Sequence, residues 1–536
     1  MVRRGALLAL LLFIASISSS SSSSSLSAAV GDSAVRVSVD LTGALRAHVS
    51  ENYLSVTIDA AQWRTMDMDN GVLKLLASAL SPAILRVGGT QADYDIYQVG
   101  DDKTVVSCDH LPKPMTAYRC KVVTESDWLR LVSFARSTNL SLVYGLNEMY
   151  GRPTKTSPEK ALCSDESGCP ASDSHNWKNL LRFHLSNVSA TDDPLFGFEL
   201  GNELNTCLND AAGARAQAND FVSLKSFVKD AFEKQGRKIP ILLGPDTHSS
   251  AEYKEEGLRW FSEFAFTASR ADAVDFLTYH MYSLGNGKTL DPNNLDASYL
   301  NASMLNRSGQ GAQALLNALK QKNVSNLQLW AGETAAANNG GRENVTDTFI
   351  DGFWYLDQLG SLAAEGTQVF CRQCLEGREG YPLLENYEPL PDYWIAYLWK
   401  KNMGTRVLRV VSSSSSVRAY AHCAVREAPP GSVAVAWINI AKHAVHMNTS
   451  GFSGSRDGAV LWTLEAGSPS LGPSKLQTHQ VLLNGKPLSL LPGPALPLND
   501  LEGKSVNGGT ADLLLPPTSY GFILFPHSGA KLCAIK

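Results

Sequence analysis

The sequence predicts a (β/α)8 barrel followed by a small antiparallel β-sandwich, and three observations carry that expectation. Short apolar, β-rich runs alternate with amphipathic segments from Tyr53 onward, the pattern of βα units repeated around a parallel sheet. Eight such runs occur before Lys401, the number that closes a barrel. After Lys401 the texture changes to short strands punctuated by Gly, Pro and Ser, as in a sandwich. A chain of 536 residues exceeds the size at which one core stops growing, which fits two domains.

Taken in order, residues 1–29 read as a targeting segment. Arg3 and Arg4 precede a 13-residue apolar run from Gly5 to Ile17, and small residues end in Ser27, Ala28 and Ala29. That run is too short to span a bilayer, and the serines from Ser18 to Ser25 are low-complexity sequence. Residues 30–52 contain Val35 to Asp40, alternating with period two, and are expected to lend a strand to the sandwich. The barrel is placed at 53–404. Its strands are expected at Tyr53 to Ala60, Ala83 to Thr90, Ser141 to Asn147, Leu195 to Glu203, Pro240 to Asp246, Phe276 to Tyr282, Leu327 to Thr334 and Thr367 to Gln373. Glu125 to Thr138, Asn176 to Ser186, Ala214 to Gln235 and Ala312 to Gln321 carry apolar residues at helical spacing. The sandwich is placed at 405–536, with strands at Val407 to Val411, Val417 to His422, Ser432 to Ile440, Ala459 to Leu464, Gln480 to Leu483 and Gly521 to Phe525.

Composition narrows the function. With 47 basic against 52 acidic groups and a net charge of -5, the chain lacks the basic balance of a nucleic-acid binder. Export is supported by nine cysteines and by sequons at Asn139, Asn187, Asn301, Asn306, Asn323, Asn344 and Asn448. The expected location is extracellular, in the cell wall, with a vacuole or lysosome as the alternative. No transmembrane segment is expected, so any membrane association would be peripheral, and the chain is taken as a monomer. The pairs Cys163 with Cys169 and Cys371 with Cys374 have metal-like spacing, but no histidine or second CxxC completes a tetrahedral set; neither metal nor cofactor is expected.

Catalytic groups of such a barrel sit where strands end, because the βα loops converge there. Glu203 ends the expected fourth strand and Glu333 the seventh, and those strands face each other across the interior. Paired carboxylates are the apparatus of glycoside hydrolysis. Structural ion pairs at a barrel rim are the alternative. Asn202 can bond a sugar 2-hydroxyl, and glycines near both glutamates let substrate approach the backbone. Glu199 shares the inward face with Glu203 but lies deeper, and is read as a buried partner of Arg86.

From about Val49 to Cys533 the chain resembles glycoside hydrolase family 79, the heparanase and β-glucuronidase family. The resemblance rests on the stretches Leu54 to Ala60, Leu85 to Thr90, Phe198 to Glu203, Gly244 to Asp246, Trp330 to Thr334, Arg372-Gln373 and Pro391 to Tyr393. It implies a barrel with a β-sandwich completed by an N-terminal strand. It also implies Glu203 as proton donor and later base, Glu333 as nucleophile, and Tyr282 as the tyrosine that hydrogen-bonds the nucleophile. Asp59, Gly89 and Thr90 match positions that hold sugar hydroxyls. The uronate carboxylate would be met by backbone amides around Asn339 and Gly340 and by Tyr381. Asn338, Asn339 and Glu376 to Gly380 depart from the family pattern there. Cys423 and Cys533 match the family's sandwich disulfide.

The resemblance therefore implies a retaining β-glucuronidase acting on a glucuronic-acid glycan, of arabinogalactan type, or on small glucuronides. A polysulfated substrate needs basic side chains along its groove, whereas this chain places Glu252, Glu255 and Glu256 after the fifth strand and Glu125 to Asp127 near the third. The excised linker of animal heparanase has no counterpart between Gly100 and Val122, so one unprocessed chain is expected after signal removal. The alternatives are an endo-acting, heparanase-like enzyme, another retaining glycosidase such as a xylosidase, and a glycan-binding relative without turnover.

Overall fold

The computed structural model describes residues 34–100, 120–150, 174–248, 254–377, 380–448, 452, 458–493, 495–497, 500–506 and 512–534. The expected targeting segment and Cys163, Cys169 and Glu252 lie outside these residues, as does most of the Gly100 to Val122 stretch.

Eight parallel strands close into a barrel: Leu54–Asp59, Ile84–Gly88, Ser141–Leu146, Leu195–Leu200, Ile241–Thr247, Phe276–Met281, Gln328–Thr334 and Val369–Arg372. Each pairs with the next in chain order, and the eighth pairs back onto the first through Phe370 opposite Leu54. All eight fall inside the runs expected from sequence except that the fifth reaches Thr247. The largest difference is in the fourth strand, which stops at Leu200, so Glu203 stands three residues beyond it.

Alternation along the strands sorts the core into layers. Ile84, Val143, Leu243, Trp330, Val369 and Cys371 cluster as an apolar floor within the barrel. Their strand neighbours, such as Leu85, Leu142, Leu242, Leu329 and Phe370, join the large core shared with the surrounding helices. Above the floor the inward positions become polar, beginning with Arg86 and Glu199. Helix ends are satisfied locally: Thr124 caps the helix Glu125–Ser137 in a reciprocal box with Asp127, and Asn70 caps Gly71–Ser78.

Beyond the barrel two sheets form a sandwich. The smaller has four strands and the larger nine, with Val37, Val435, Trp437, Met447, Leu515 and Ile523 in the core they share. The N-terminal strand Val35–Val39 lies within the smaller sheet, antiparallel to Val410–Ser412 and parallel to Val445–Asn448. Its period-two pattern buries Val37 and exposes Arg36 and Ser38. The single strand expected at Val407 to Val411 is two strands, Met403–Leu408 in the larger sheet and Val410–Ser412 in the smaller, because the chain changes sheets at Arg409. Cys423 and Cys533 are disulfide-bonded across 110 residues. On the chain-entropy account a loop of that length stabilises by about 4 to 5 kcal/mol.

Barrel and sandwich share an interface on the helix Asp351–Ala364. A Cβ on Gly360 would come within 2.0 Å of the Tyr420 ring, so that glycine is what lets the larger sheet approach. Tyr420 then donates to Asp357 at 2.6 Å, and Arg418 pairs with the same carboxylate. Among the described residues no helix is long and apolar enough to cross a membrane. All seven sequon asparagines are at least partly exposed.

Candidate active site

Arg86 organises the cup above the apolar floor. Its strand alternates Ile84, Arg86 and Gly88 inward, and Gly88 is needed because a Cβ there would sit 2.7 Å from the Arg86 guanidinium carbon. The guanidinium donates to Glu199 at 2.7 Å, Glu333 at 2.8 Å, and both Asn202 and Asp246 at 3.0 Å. Glu199 is thus the buried arginine partner expected from its depth in the strand.

Glu333 reaches the cup by a local irregularity. Trp330 faces the barrel interior and Leu329 and Ala331 face the helices, so simple alternation would turn Glu333 outward. The pairing register shifts there: Tyr279 lies opposite Ala331 but His280 lies opposite Glu333, which leaves Gly332 as an extra residue. This bulge turns the carboxylate inward. A Cβ on Gly332 would lie 3.0 Å from Asp246 Oδ1, so the glycine is also a matter of space.

Glu203 is positioned by backbone outside the strand. Its φ of 52° is left-handed, an uncommon conformation for a residue with a side chain, and its amide donates to the Asp246 carbonyl at 2.9 Å. The preceding Asn202 amide is held by Asp93 at 2.8 Å. Glu203 therefore faces the cup from the fourth strand's loop, with 21% of its side chain exposed against 9% for Glu333.

The sixth strand places His280 and Tyr282 on one face. Tyr282 donates its hydroxyl to Glu333 Oε1, and His280 Nδ1 lies 2.8 Å from Glu203 Oε1 and 3.9 Å from Glu333 Oε1. A Glu203 oxygen, a His280 nitrogen and a Glu333 oxygen all lie within 4.8 Å of one another.

The charges divide by surroundings. Burial pushes the Glu199 carboxyl well above its ordinary range, and Arg86 offsets this only in part. Burial also works against ionised Glu333, but His280, Arg86 and the Tyr282 hydroxyl outweigh it and hold that carboxyl below the usual range. Asp246 is held low for a similar reason, with Arg86 the largest opponent of its burial. For His280, burial disfavours the charged ring, but Glu333, Asp246 and Glu203 raise it to about 10. Glu203, His280 and Glu333 are the described group whose side chains converge as metal ligands would. Carboxylates lie at both His280 nitrogens, at 2.8 and 3.4 Å, a setting that suits hydrogen bonding and proton handling between acids.

The other residues expected at the site form two groups. Asp59 and Gly89 adjoin, since a Cβ on Gly89 would lie 3.1 Å from Asp59 Oδ2, and Gln373 donates to that oxygen at 3.4 Å. Thr90, half-buried, opens the short 3-10 turn that follows. In the second group Tyr381 packs in one cluster with Tyr282, Ala335 and Cys374. Asn339, Gly340 and Gly341 have φ of 56°, 79° and 67°, and the Gly380 amide donates to the Gly340 carbonyl at 2.8 Å. That turn is therefore tied to the Tyr381 segment, although the Asn339 side chain is exposed and donates to Asn338. Sequence reasoning had no role for His280 or Asp246. Gly244-Pro245-Asp246 and His280-Met281-Tyr282 were visible as motifs, but nothing in either names a partner in the other.

A closed (β/α)8 barrel with two facing glutamates in its mouth defines a glycoside hydrolase. The family model described as "Glycosyl hydrolase family 79, N-terminal domain" matches residues 47–360. Heparanase-like protein 3 of Arabidopsis thaliana is 31% identical over 383 residues, covering 70% of this chain and 66% of that one. Baicalin-beta-D-glucuronidase of Scutellaria baicalensis is 28% identical and covers 90% of both chains. Among solved structures, a 4-O-alpha-L-rhamnosyl-beta-D-glucuronidase from Fusarium oxysporum 12S superposes with a TM-score of 0.57 at 14% identity, covering 91% of this chain and 100% of that one. The chain belongs to glycosyl hydrolase family 79.

Proposed function

We propose that the protein is a secreted β-glucuronidase that works with retention, Glu333 attacking the anomeric carbon and Glu203 moving the proton. The observation that carries this reading is the close approach of the two carboxylates, within 4.8 Å at their nearest described atoms. Retaining enzymes hold the pair at about 5 to 5.5 Å, whereas inverting enzymes leave room for a water between them. The surroundings suit the roles. Glu333 is ionised, as a nucleophile must be, and Tyr282 and Arg86 fix both of its oxygens. Glu203, partly exposed across the cup from Glu333, is placed to hand a proton to the leaving sugar.

The glucuronate specificity draws support from the left-handed turn at Asn339 to Gly341, whose backbone can present N–H groups to an anion, and from Tyr381 beside it. The similarity to baicalin-beta-D-glucuronidase points the same way. Export is supported by the basic and apolar start of the chain and by sequons that reach the surface. The acidic Glu255 and Glu256, both exposed, favour an arabinogalactan-type glycan or a small glucuronide over a sulfated chain.

The test is hydrolysis of an aryl β-glucuronide, with the first-formed sugar followed by NMR. The expected result is β-glucuronate released first, with the rate lost by on the order of 10⁴-fold or more in Glu333→Ala. An α-anomer as first product would overturn retention. A fully active Glu333→Ala enzyme would overturn the assignment of the nucleophile, and cleavage of aryl xylosides instead would overturn the substrate.

A further inference from the structure

His280, buried at the cup, has no part in the two-carboxylate scheme, and its two nitrogens face two different acids. Nδ1 lies 2.8 Å from Glu203 Oε1, and Nε2 lies 3.4 Å from Asp246 Oδ1. The ring is fully buried, its remaining charged neighbours being Glu333, 3.9 Å from Nδ1, and Arg86, whose Nη2 is 3.4 Å from Nε2. We propose that His280 is the positioning residue of the acid/base Glu203: its Nδ1–H fixes Oε1, Asp246 steadies the ring from behind, and the catalytic proton is thereby confined to Oε2. This deepens the reading of Glu203 given above and rests on it.

The need for such a residue follows from the backbone. Glu203 is outside its strand and one-fifth exposed, so the pleat of that strand does not fix the direction of its carboxyl. A carboxyl that turns freely presents its proton to the leaving oxygen only part of the time. A donor on one oxygen removes that freedom in both halves of the reaction. In the first, Oε2–H gives its proton to the leaving oxygen as the glycosidic bond breaks and Glu333 bonds the anomeric carbon. In the second, ionised Oε2 takes a proton from the water that displaces Glu333. His280 keeps its own protons throughout, so no oxidant or further co-reactant enters. Asp246 is fixed independently of the ring, by Arg86 at 3.0 Å and by its amide, which donates to Thr278 Oγ1 at 2.9 Å. It is therefore a rigid backstop, and the histidine inherits its orientation.

The idea separates two near-isosteric substitutions. His280→Asn retains a donor near the Nδ1 position and loses the one toward Asp246, whereas His280→Gln places its amide near Nε2 and releases Glu203. Both are assayed on phenyl and 2,4-dinitrophenyl β-glucuronide beside Glu203→Ala, with circular dichroism confirming folding. An activated leaving group departs without a proton, so loss of a positioned acid shows only on the phenyl substrate. His280→Gln is expected to lose on the order of 10²-fold in kcat/KM on the phenyl glycoside and under about tenfold on the dinitrophenyl one. His280→Asn should stay nearer to wild type on both. An equal loss on both substrates in His280→Gln, a loss in neither, or the reverse order of the two variants overturns the proposal. If Glu203→Ala itself ignores the leaving group, it is the acid/base assignment that fails. If wild type prefers another aryl glycoside, the glucuronate reading fails and the same pair of leaving groups on that sugar carries the test.

Discussion

Among the described residues two arginines are buried, each surrounded by more carboxylate than it can neutralise. Arg86 points into the barrel and meets Glu199, Asp246 and Glu333. Arg372, on the eighth strand, follows inward Cys371 and so points outward, between the helices Asp351–Ala364 and Pro391–Asn402. There it pairs with Asp351 at 3.0 Å and Asp392 at 2.7 Å, while Tyr299 donates to Asp351 and the guanidinium lies over Trp354 and Tyr355. Burial pushes Asp351 and Asp392 upward despite the arginine, much as it does Glu199. Perturbed titration therefore does not distinguish the two clusters. Access does. The Arg372 cluster is closed, with side-chain exposures of 0%, 0% and 4%, whereas the Arg86 cluster opens upward through Glu333 and Glu203. One is an ion cluster joining the barrel to its outer helices, and the other lines the proposed reaction site.

Neutral replacements of the two should consequently fail in different assays. Arg86→Met removes a donor from Glu333 and the counter-charge of three acids, and is expected to lower kcat by on the order of 10²- to 10³-fold. Arg372→Met strands two buried carboxyls and should lower the free energy of unfolding by about 3 to 5 kcal/mol, while activity per folded molecule stays within about twofold. Urea unfolding and kinetics on the same preparations measure both quantities. A comparably inactive yet folded Arg372→Met would show that the closed cluster is coupled to the cup.

The same contrast holds for two buried histidines. His280 is raised to about 10 by its acids, so its stabilising contribution is whole below its ordinary value of 6.5 and is lost as pH rises through 10. His422, in the sandwich, has no acid beside it among the described residues: burial lowers it to about 4, only partly opposed by its hydrogen bond to the Gly404 carbonyl, and it packs edge-on to Trp399. Its contribution is whole above 6.5 and is lost as pH falls from there toward 4, a change of about 3 kcal/mol over the window. His422→Phe should flatten the fall in thermal midpoint between pH 6.5 and 4.5 and leave the alkaline limb unchanged. A parallel acid limb in that variant would mean that His422 does not titrate in this range.

The sequence made the barrel legible because strand position needs only local pattern: eight apolar runs, each bounded by turn residues, mark where the eight strands lie. It made Glu203 and Glu333 legible as strand-end acids, but for reasons the structure revises. Glu203 lies past its strand in a left-handed conformation, and Glu333 faces inward only because Gly332 breaks the alternation. Gly332 beside Glu333 and Gly201 one removed from Glu203 were the visible signs, and the meaning of Gly332 as a bulge depends on the register of a neighbouring strand. The sandwich strands Val445–Asn448 and Asp512–Leu515 were not legible, being four residues each with no long apolar run. The Arg372 to Asp392 pair shows the same limit: Arg372-Gln373 and Pro391-Asp392-Tyr393 stood out as separate motifs, and only the packing of a helix over a strand end makes them one cluster. His280 paired with Glu203 spans 77 residues, and pairings of that range belong to topology.

A third arginine sharpens the point about enclosure with a smaller effect. Arg46 extends from the N-terminal segment to the end of the helix Asp351–Ala364, where it bonds Glu365 Oε1 and the Ala364 carbonyl at 3.0 and 2.9 Å. Its geometry is as good as that of Arg372, and it too joins separate parts of the chain. However, 37% of its side chain is exposed, so water competes for both groups and salt screens the pair. Arg46→Ala is therefore expected to lower stability by less than about 1 kcal/mol, and less at high ionic strength, although the contact distances match those of the buried clusters. Urea unfolding at low and high salt measures this directly. A loss of the size expected for Arg372→Met would mean that hydrogen-bond geometry, rather than closure from solvent, sets the worth of these arginines, and the separation drawn between the two buried clusters would lose its physical basis.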